Sequence, residues 1–200
     1  MFEYFESLKH LYGGYGQFFF QSGVPIWLLY GAIALFVMAI TFWLLKSLPF
    51  REVVRKSSVV LLIELIAILY CSTVIFRRDD VVVGYKLMPF WSYFAITEGK
   101  ESLMLENILN VLVFIPIGFL CGMTTDRKQI KFAVAVGMAC SVVIELSQYC
   151  FERGFAETDD VIHNTIGCLI GCLVYMGICK CISIVRSKIN CSKKSSITLF

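Results

Sequence analysis

Five long apolar runs alternate with short polar segments along this chain. The runs cover residues 24–45, 58–76, 103–123, 132–150 and 161–179. At about 1.5 Å per helical residue, runs of this length suit a hydrocarbon core of about 30 Å. The pattern therefore predicts five membrane-spanning helices. Pro25 opens the first run, where a helix tolerates a missing N–H. The second run carries Glu64 well inside it, either as a functional carboxylate or as a protonated packing residue. The third holds Asn107 and Asn110, three apart and so on one face. Pro116 and Gly118 follow and weaken its helical ladder locally, which neighbouring helices can compensate.

The connections are short, with one exception. Residues 46–57 and 124–131 are basic turns. Residues 77–102 form the longest link. Arg77 and Arg78 precede Asp79 and Asp80 there, and Tyr85, Phe90, Trp91, Tyr93 and Phe94 surround Pro89. Aromatic residues of this kind sit at headgroup level, so the link reads as a re-entrant or interfacial loop. Residues 1–23 start acidic and lack a small-residue cleavage site, unlike a signal peptide. Phe2, Phe5, Leu8 and Tyr12 recur at helical spacing, which fits an interfacial helix or else a short tail. The domain reading is an interfacial segment over 1–23, a helical bundle over 24–184 and a basic cytoplasmic tail over 185–200. No internal repeat is evident.

Composition agrees with the pattern. Of the 200 residues 58% are hydrophobic and 16% charged. A soluble domain carries about 45–50% apolar and about 25% charged residues. The fold class is an all-α polytopic membrane bundle. Most of the nine Cys lie inside the runs and read as small packing residues, with Cys191 in the tail as the expected free thiol. There is no CxxC pair and no His cluster, so no metal or cofactor is expected. No nucleic-acid partner is expected either. Twelve Lys and Arg fall on the side of the 46–57 link, the 124–131 turn and the tail, against six on the other side. Positive residues stay cytoplasmic, which predicts the N-terminus outside and the C-terminus inside.

That topology brings polar side chains to one depth. Asn107 and Asn110 fall in the outer third of span three, Glu145 and Gln148 in that of span four, and Asp160 and Asn164 at the start of span five. Gly137, Ser141, Glu145 and Gln148 form one stripe, and Asp160, Asn164, Gly167 and Gly171 another. Gly167 and Gly171 make a small surface for close helix approach. Arg153 and Glu157 lie in the polar bridge of residues 151–160 between the two spans. His163 is spaced to pair with Asp160 and reads as a polar helix-end residue. Two readings of the ensemble stay open. Clustered ionisable groups at one depth line a cavity. Alternatively, interhelical hydrogen bonds hold the spans together at about 0.6 kcal/mol each, with Asp160 as a helix cap and Arg153 as the partner of Glu157.

These residues resemble the VanZ-like family of small bacterial membrane proteins. KLMPF at 86–90 looks like its Leu-x-Pro-Phe segment, and ENILNVLVFIPIGFL at 106–120 like its asparagine run into Phe-Ile-Pro-x-Gly. Residues 144–171 are similar to its Glu-x-x-Gln, acidic-loop and Asp-x-x-x-Asn-x-x-Gly signature. Asn107, Asn110, Pro116, Gly118, Glu145, Gln148, Asp160, Asn164 and Gly167 match its polar, proline and glycine positions, and Glu157 stands where the family often has Asp. The resemblance implies a cell-surface membrane protein linked to lowered susceptibility to glycopeptide antibiotics, above all lipid-tailed ones such as teicoplanin.

Three functions compete. The first is a non-catalytic envelope protein with an outward polar pocket. Asn107, Asn110, Glu145, Gln148, Arg153, Glu157, Asp160 and Asn164 would there engage a membrane lipid, a lipid-linked wall precursor or the antibiotic. The second is an intramembrane enzyme using Glu145 and Asp160 as an acid/base pair. No Gly-x-Ser-x-Gly or His-Glu-x-x-His motif supplies a nucleophile or metal for it. A transporter or scaffold is third, and an odd span number without a repeat argues against a transporter. The sequence leaves ligand identity and oligomeric state open.

Overall fold

The computed structural model describes residues 26–75, 77, 82–125 and 128–197, without the side chains of 26–30, 32 and 190–197. The expectations for residues 1–23 and for the Cys191 side chain fall outside what is described. The elements are α1 (Ile26–Leu45), α2 (Phe50–Tyr70) extended by a π-helical turn (Cys71–Ile75), β1 (Gly84–Lys86), α3 (Trp91–Thr97), α4 (Ser102–Thr124), α5 (Gln129–Cys150), β2 (Phe155–Glu157) and α6 (Thr158–Ile197). The chain is an all-α membrane bundle with a two-stranded clip.

Among the described residues, the helices Phe50–Ile75, Ser102–Thr124, Gln129–Cys150 and Thr158–Ile189 are long and apolar enough to cross a membrane. The first apolar run forms α1, an apolar helix of 20 residues. Two boundaries move from the sequence reading. α2 begins at Phe50, not near residue 58. Pro49 sets an extended entry (φ −56°, ψ 142°), and Glu52 reaches Arg55 at 3.3 Å and Lys56 at 3.9 Å, so charge pairs one turn apart support the polar first turns. α6 runs for 40 residues, well beyond the expected end near residue 179. No Gly or Pro interrupts residues 178–197, so nothing stops the helix. At 1.5 Å per residue it is roughly 60 Å long, about twice the hydrocarbon thickness.

The core lies between α4, α5 and α6, with α2 against them. Leu62, Val74, Phe114, Ile117, Cys121, Ala133, Ile144, Cys168 and Cys172 fill it. Buried Cys121, Cys168 and Cys172 act there as small apolar side chains. The α4–α6 crossing brings backbones together. A Cβ at Gly118 would stand 2.6 Å from Cys168 Cα, one at Gly167 2.9 Å from Phe114 Cβ, and one at Gly171 2.7 Å from Phe119 N. No side chain fits in that gap, so the crossing requires glycine from both helices. On α5, a Cβ at Gly137 would meet Cys168 Sγ at 2.8 Å. α4 stays helical through Pro116.

The loop expected to be interfacial has its own structure. β1 pairs in parallel with β2, with Gly84, Tyr85 and Lys86 opposite Phe155, Ala156 and Glu157. The Phe155 ring covers Gly84, where a Cβ would stand 2.6 Å from it. This clip ties the long loop to the start of α6, and α3 follows directly.

Candidate functional site

One end of the bundle gathers the end of α2, the start of α4, the end of α5 and the start of α6. The clip and α3 cap it. Asp159 organises the cap. It lies in the first turn of α6 and is 1% exposed. Its Oδ1 accepts from the Phe90 N–H. Its Oδ2 accepts from the Ser92 N–H at 2.9 Å and from the Ser92 hydroxyl. These are the amides at the start of α3, which a carboxylate satisfies well. Phe90 sits at φ 63°, ψ 18°, a left-handed conformation uncommon for a bulky residue. The Asp159 contact holds it there.

Asn107 joins this cap, donating from Nδ2 to Ser92 Oγ at 3.0 Å. Asn110 instead donates to Asp160 Oδ1 at 2.8 Å. The two asparagines share a helix face yet serve different partners. His163, spaced to pair with Asp160 but read as a polar helix-end residue, turns instead to α3. Its Nε2 lies 2.9 Å from Tyr93 OH, because α3 packs over this turn of α6.

Behind the cap the polar stripes meet. Gly137, Ser141, Glu145 and Gln148 all lie on the buried face of α5. Glu145 Oε2 accepts from the Glu157 N–H at 2.9 Å, tying α5 to β2. Gln148 donates to Thr73 O at 3.2 Å, and Asn164 donates to Ser141 Oγ at 2.7 Å. The π-helical turn at the end of α2 supplies the Thr73 carbonyl, and Tyr70 OH reaches Ser147 Oγ at 3.0 Å.

Arg153 was expected to pair with Glu157 or to face a ligand. Its NH1 donates to Arg77 O at 2.6 Å. Glu157 has a different cation. Lys86 Nζ lies 3.4 Å from Glu157 Oε1, 3.4 Å from the Trp91 ring centroid and 4.6 Å from that of Phe155. The clip register brings Lys86 opposite Glu157, and two rings shield the pair. Burial pushes the Glu157 carboxyl above the usual carboxylate range, and Lys86 opposes that shift.

Charges gather beside these bonds. Glu106 lies within charge range of Glu157, Lys86 and Arg77. Glu145 lies in range of Asp160, Glu157 and Arg77, and Asp160 in range of Glu157, Glu106 and Arg77. Gly154, at φ 152°, leaves room for the Arg77 guanidinium, whose Cζ would stand 3.1 Å from a Cβ there. Glu106, Arg77, Lys86 and Asp159 therefore belong to the site, although sequence reasoning did not select them. Their signal was weak. Glu106 opens the asparagine run, and Lys86 opens the Leu-x-Pro-Phe segment. Glu64 stands apart in α2, and neither of its carboxylate oxygens has a hydrogen-bond partner among the described residues.

The rim of this end is apolar. Val82, Tyr85, Leu87, Met88, Phe90 and Phe94 are exposed on the loop and α3. A polar cluster thus adjoins a surface suited to acyl chains.

The fold and this end define a multi-pass α-helical membrane protein with a polar site at one end of its bundle. A family model described as VanZ/LLP1 matches residues 31–182, and the chain belongs to this family. It is also similar to Protein VanZ of Enterococcus faecium, with 36% identity over 72 residues, 35% of this chain and 44% of that protein. The chain thus aligns with less than half of that relative's length. No solved structure matches.

Proposed function

We propose that this chain is a non-catalytic envelope protein that lowers susceptibility to lipid-tailed glycopeptide antibiotics of the teicoplanin type. The end site engages the antibiotic or a lipid-linked envelope ligand at the outer leaflet. The observation that carries this reading is the adjacency of the Glu106–Glu145–Asp160 charges to the exposed apolar rim of Leu87, Met88, Phe90 and Phe94. A ligand with a polar head and an acyl chain fits both surfaces at once. The excess of Lys and Arg at the opposite ends of the spans supports an outward orientation for this end. Family membership supports the resistance-linked role.

The test is a susceptibility panel in cells that express the chain. Protection is expected against glycopeptides with a lipid tail and several-fold less against the same cores without it. Equal protection against both would refute the lipid-tail reading.

A second reading keeps one observation. Glu145 and Asp160 lie within charge range of each other, as an acid/base pair requires. Glu145 Oε2 is nevertheless bound to the Glu157 N–H and Asp160 Oδ1 to Asn110, so each carboxylate has one oxygen fixed in a structural bond.

A further inference from the structure

Donors and acceptors at the end site do not balance. Glu145 and Asp160 each have one oxygen satisfied, by the Glu157 N–H and by Asn110. Their second oxygens, and both oxygens of Glu106, have no hydrogen-bond donor among the described residues. Lys86 is engaged by Glu157 and two rings. Arg77 is the cation within charge range of all three carboxylates. Among the described residues three carboxyl groups thus face the Arg77 guanidinium, leaving surplus acceptors and, where the groups ionise, surplus negative charge.

A separate observation lies beneath them. Asn164 is one turn below Asp160 on α6, and Ser141 is one turn below Glu145 on α5. The Asn164–Ser141 bond therefore crosses under the Glu145–Asp160 pair. Asn164 is 4% exposed, and its Oδ1 has no hydrogen-bond partner among the described residues. An open buried acceptor is costly, at about 1–3 kcal/mol, so the floor of the site also calls for a donor.

We infer that the Glu106–Glu145–Asp160 site, floored by Asn164, takes a primary ammonium group carried on a lipid-tailed ligand. The inference rests on the reading of this end as the ligand site. A primary ammonium brings one positive charge and three N–H donors, matching both surpluses. A quaternary ammonium brings the charge without donors. A phosphate or carboxylate would add acceptors and repulsion, which Arg77 would offset only in part. The apolar rim takes the chain behind the amine. Two sources share this chemistry: the headgroup of a membrane aminolipid, and the amine of an antibiotic arriving from solution.

The test uses the full chain in phosphatidylcholine nanodiscs. In one arm, phosphatidylethanolamine and phosphatidylglycerol of identical acyl chains compete, and retained lipid is counted by native mass spectrometry. In the other, a lipid-tailed glycopeptide with a free amine and its N-acetylated form are added, and binding is read by thermophoresis. The expected result is about ten-fold better retention of the free amine in at least one arm, and the arm names the source. Glu106→Gln, at a side chain without a hydrogen bond among the described residues, is expected to remove most of that preference. Asp160→Asn is expected to do the same. Arg77→Gln, which removes the competing cation, is expected to raise amine retention.

Equal or better retention of the anionic or acetylated probe, lost in Arg77→Gln, would overturn the ammonium inference and leave the site reading standing. If no probe binds in either arm and Glu106→Gln changes nothing, both are overturned.

Discussion

Asp159→Ala is expected to release α3 and the Leu87–Phe90 turn from the bundle and to abolish protection in cells. The carboxylate is buried and accepts from the Phe90 amide, the Ser92 amide and the Ser92 hydroxyl. Alanine leaves two amides and a hydroxyl without an acceptor in a buried place. Loss of such a charge-assisted set costs on the order of 3–5 kcal/mol. Phe90 has no reason to keep its left-handed conformation once its amide is released. Asp159→Asn is expected to fail in part, because its NH2 group then faces a donor. Hydrogen exchange gives the readout. Residues 84–97 are expected to lose protection while α4, α5 and α6 keep theirs. Unchanged protection at Ser92 and Tyr93 would contradict the role given to Asp159.

Gly171→Val is expected to be the most damaging single change inside the spans. A Cβ there already stands 2.8 Å from the Ile115 carbonyl carbon and 2.7 Å from the Phe119 nitrogen, both backbone atoms that cannot move aside singly. Overpacking costs about 1–3 kcal/mol where side chains can yield, and backbone against backbone costs more. The α4–α6 crossing opens, and with it the Asn110–Asp160 bond that crosses the same two helices. Gly177→Ala is the control on the same helix. Nothing lies within 4 Å of a Cβ there, and alanine is the better helix former. Thermal unfolding in detergent is expected to show a large loss of stability for Gly171→Val and none for Gly177→Ala. Similar curves for the two would show that close approach at Gly171 does not hold the bundle.

The contrast between these two predictions shows what the sequence could and could not disclose. The glycine crossing was readable because its signal is local: Asn164, Gly167 and Gly171 repeat at helical spacing within a single span. The α5 stripe of Gly137, Ser141, Glu145 and Gln148 was readable for the same reason. The role of Asp159 was not, because the amides it satisfies belong to Phe90 and Ser92, at sequence separations of 69 and 67. The clip was equally hidden. Its strands are three residues each and pair in parallel across a long separation, too short to show an alternating pattern. Depth and helical spacing assigned Asn107 and Asn110 to one group. Their side chains diverge because α3, absent from the apolar pattern, packs on one and α6 on the other. The end of α6 was misplaced because hydropathy marks where lipid ends, while a helix ends only where capping or a breaker stops it.

The site also changed character. Most of the polar residues chosen from the sequence bond to one another or to backbone. Asn107, Asn110, Gln148 and Asn164 hold elements together. Glu106 and Arg77, unselected, lie within charge range of Asp160, and Arg77 of Glu145 as well. The interhelical-glue reading accounts for these bonds, and the proposed binding draws on other atoms of Glu145 and Asp160.

The most direct test of the central claim is the susceptibility of cells to a lipid-tailed glycopeptide when they carry Glu106→Gln or Asp160→Asn at membrane levels equal to the unaltered chain. The account predicts that either variant loses most of the protection, several-fold in inhibitory concentration, while the purified protein unfolds within a few degrees of the original. Full protection by both variants at equal abundance would contradict it.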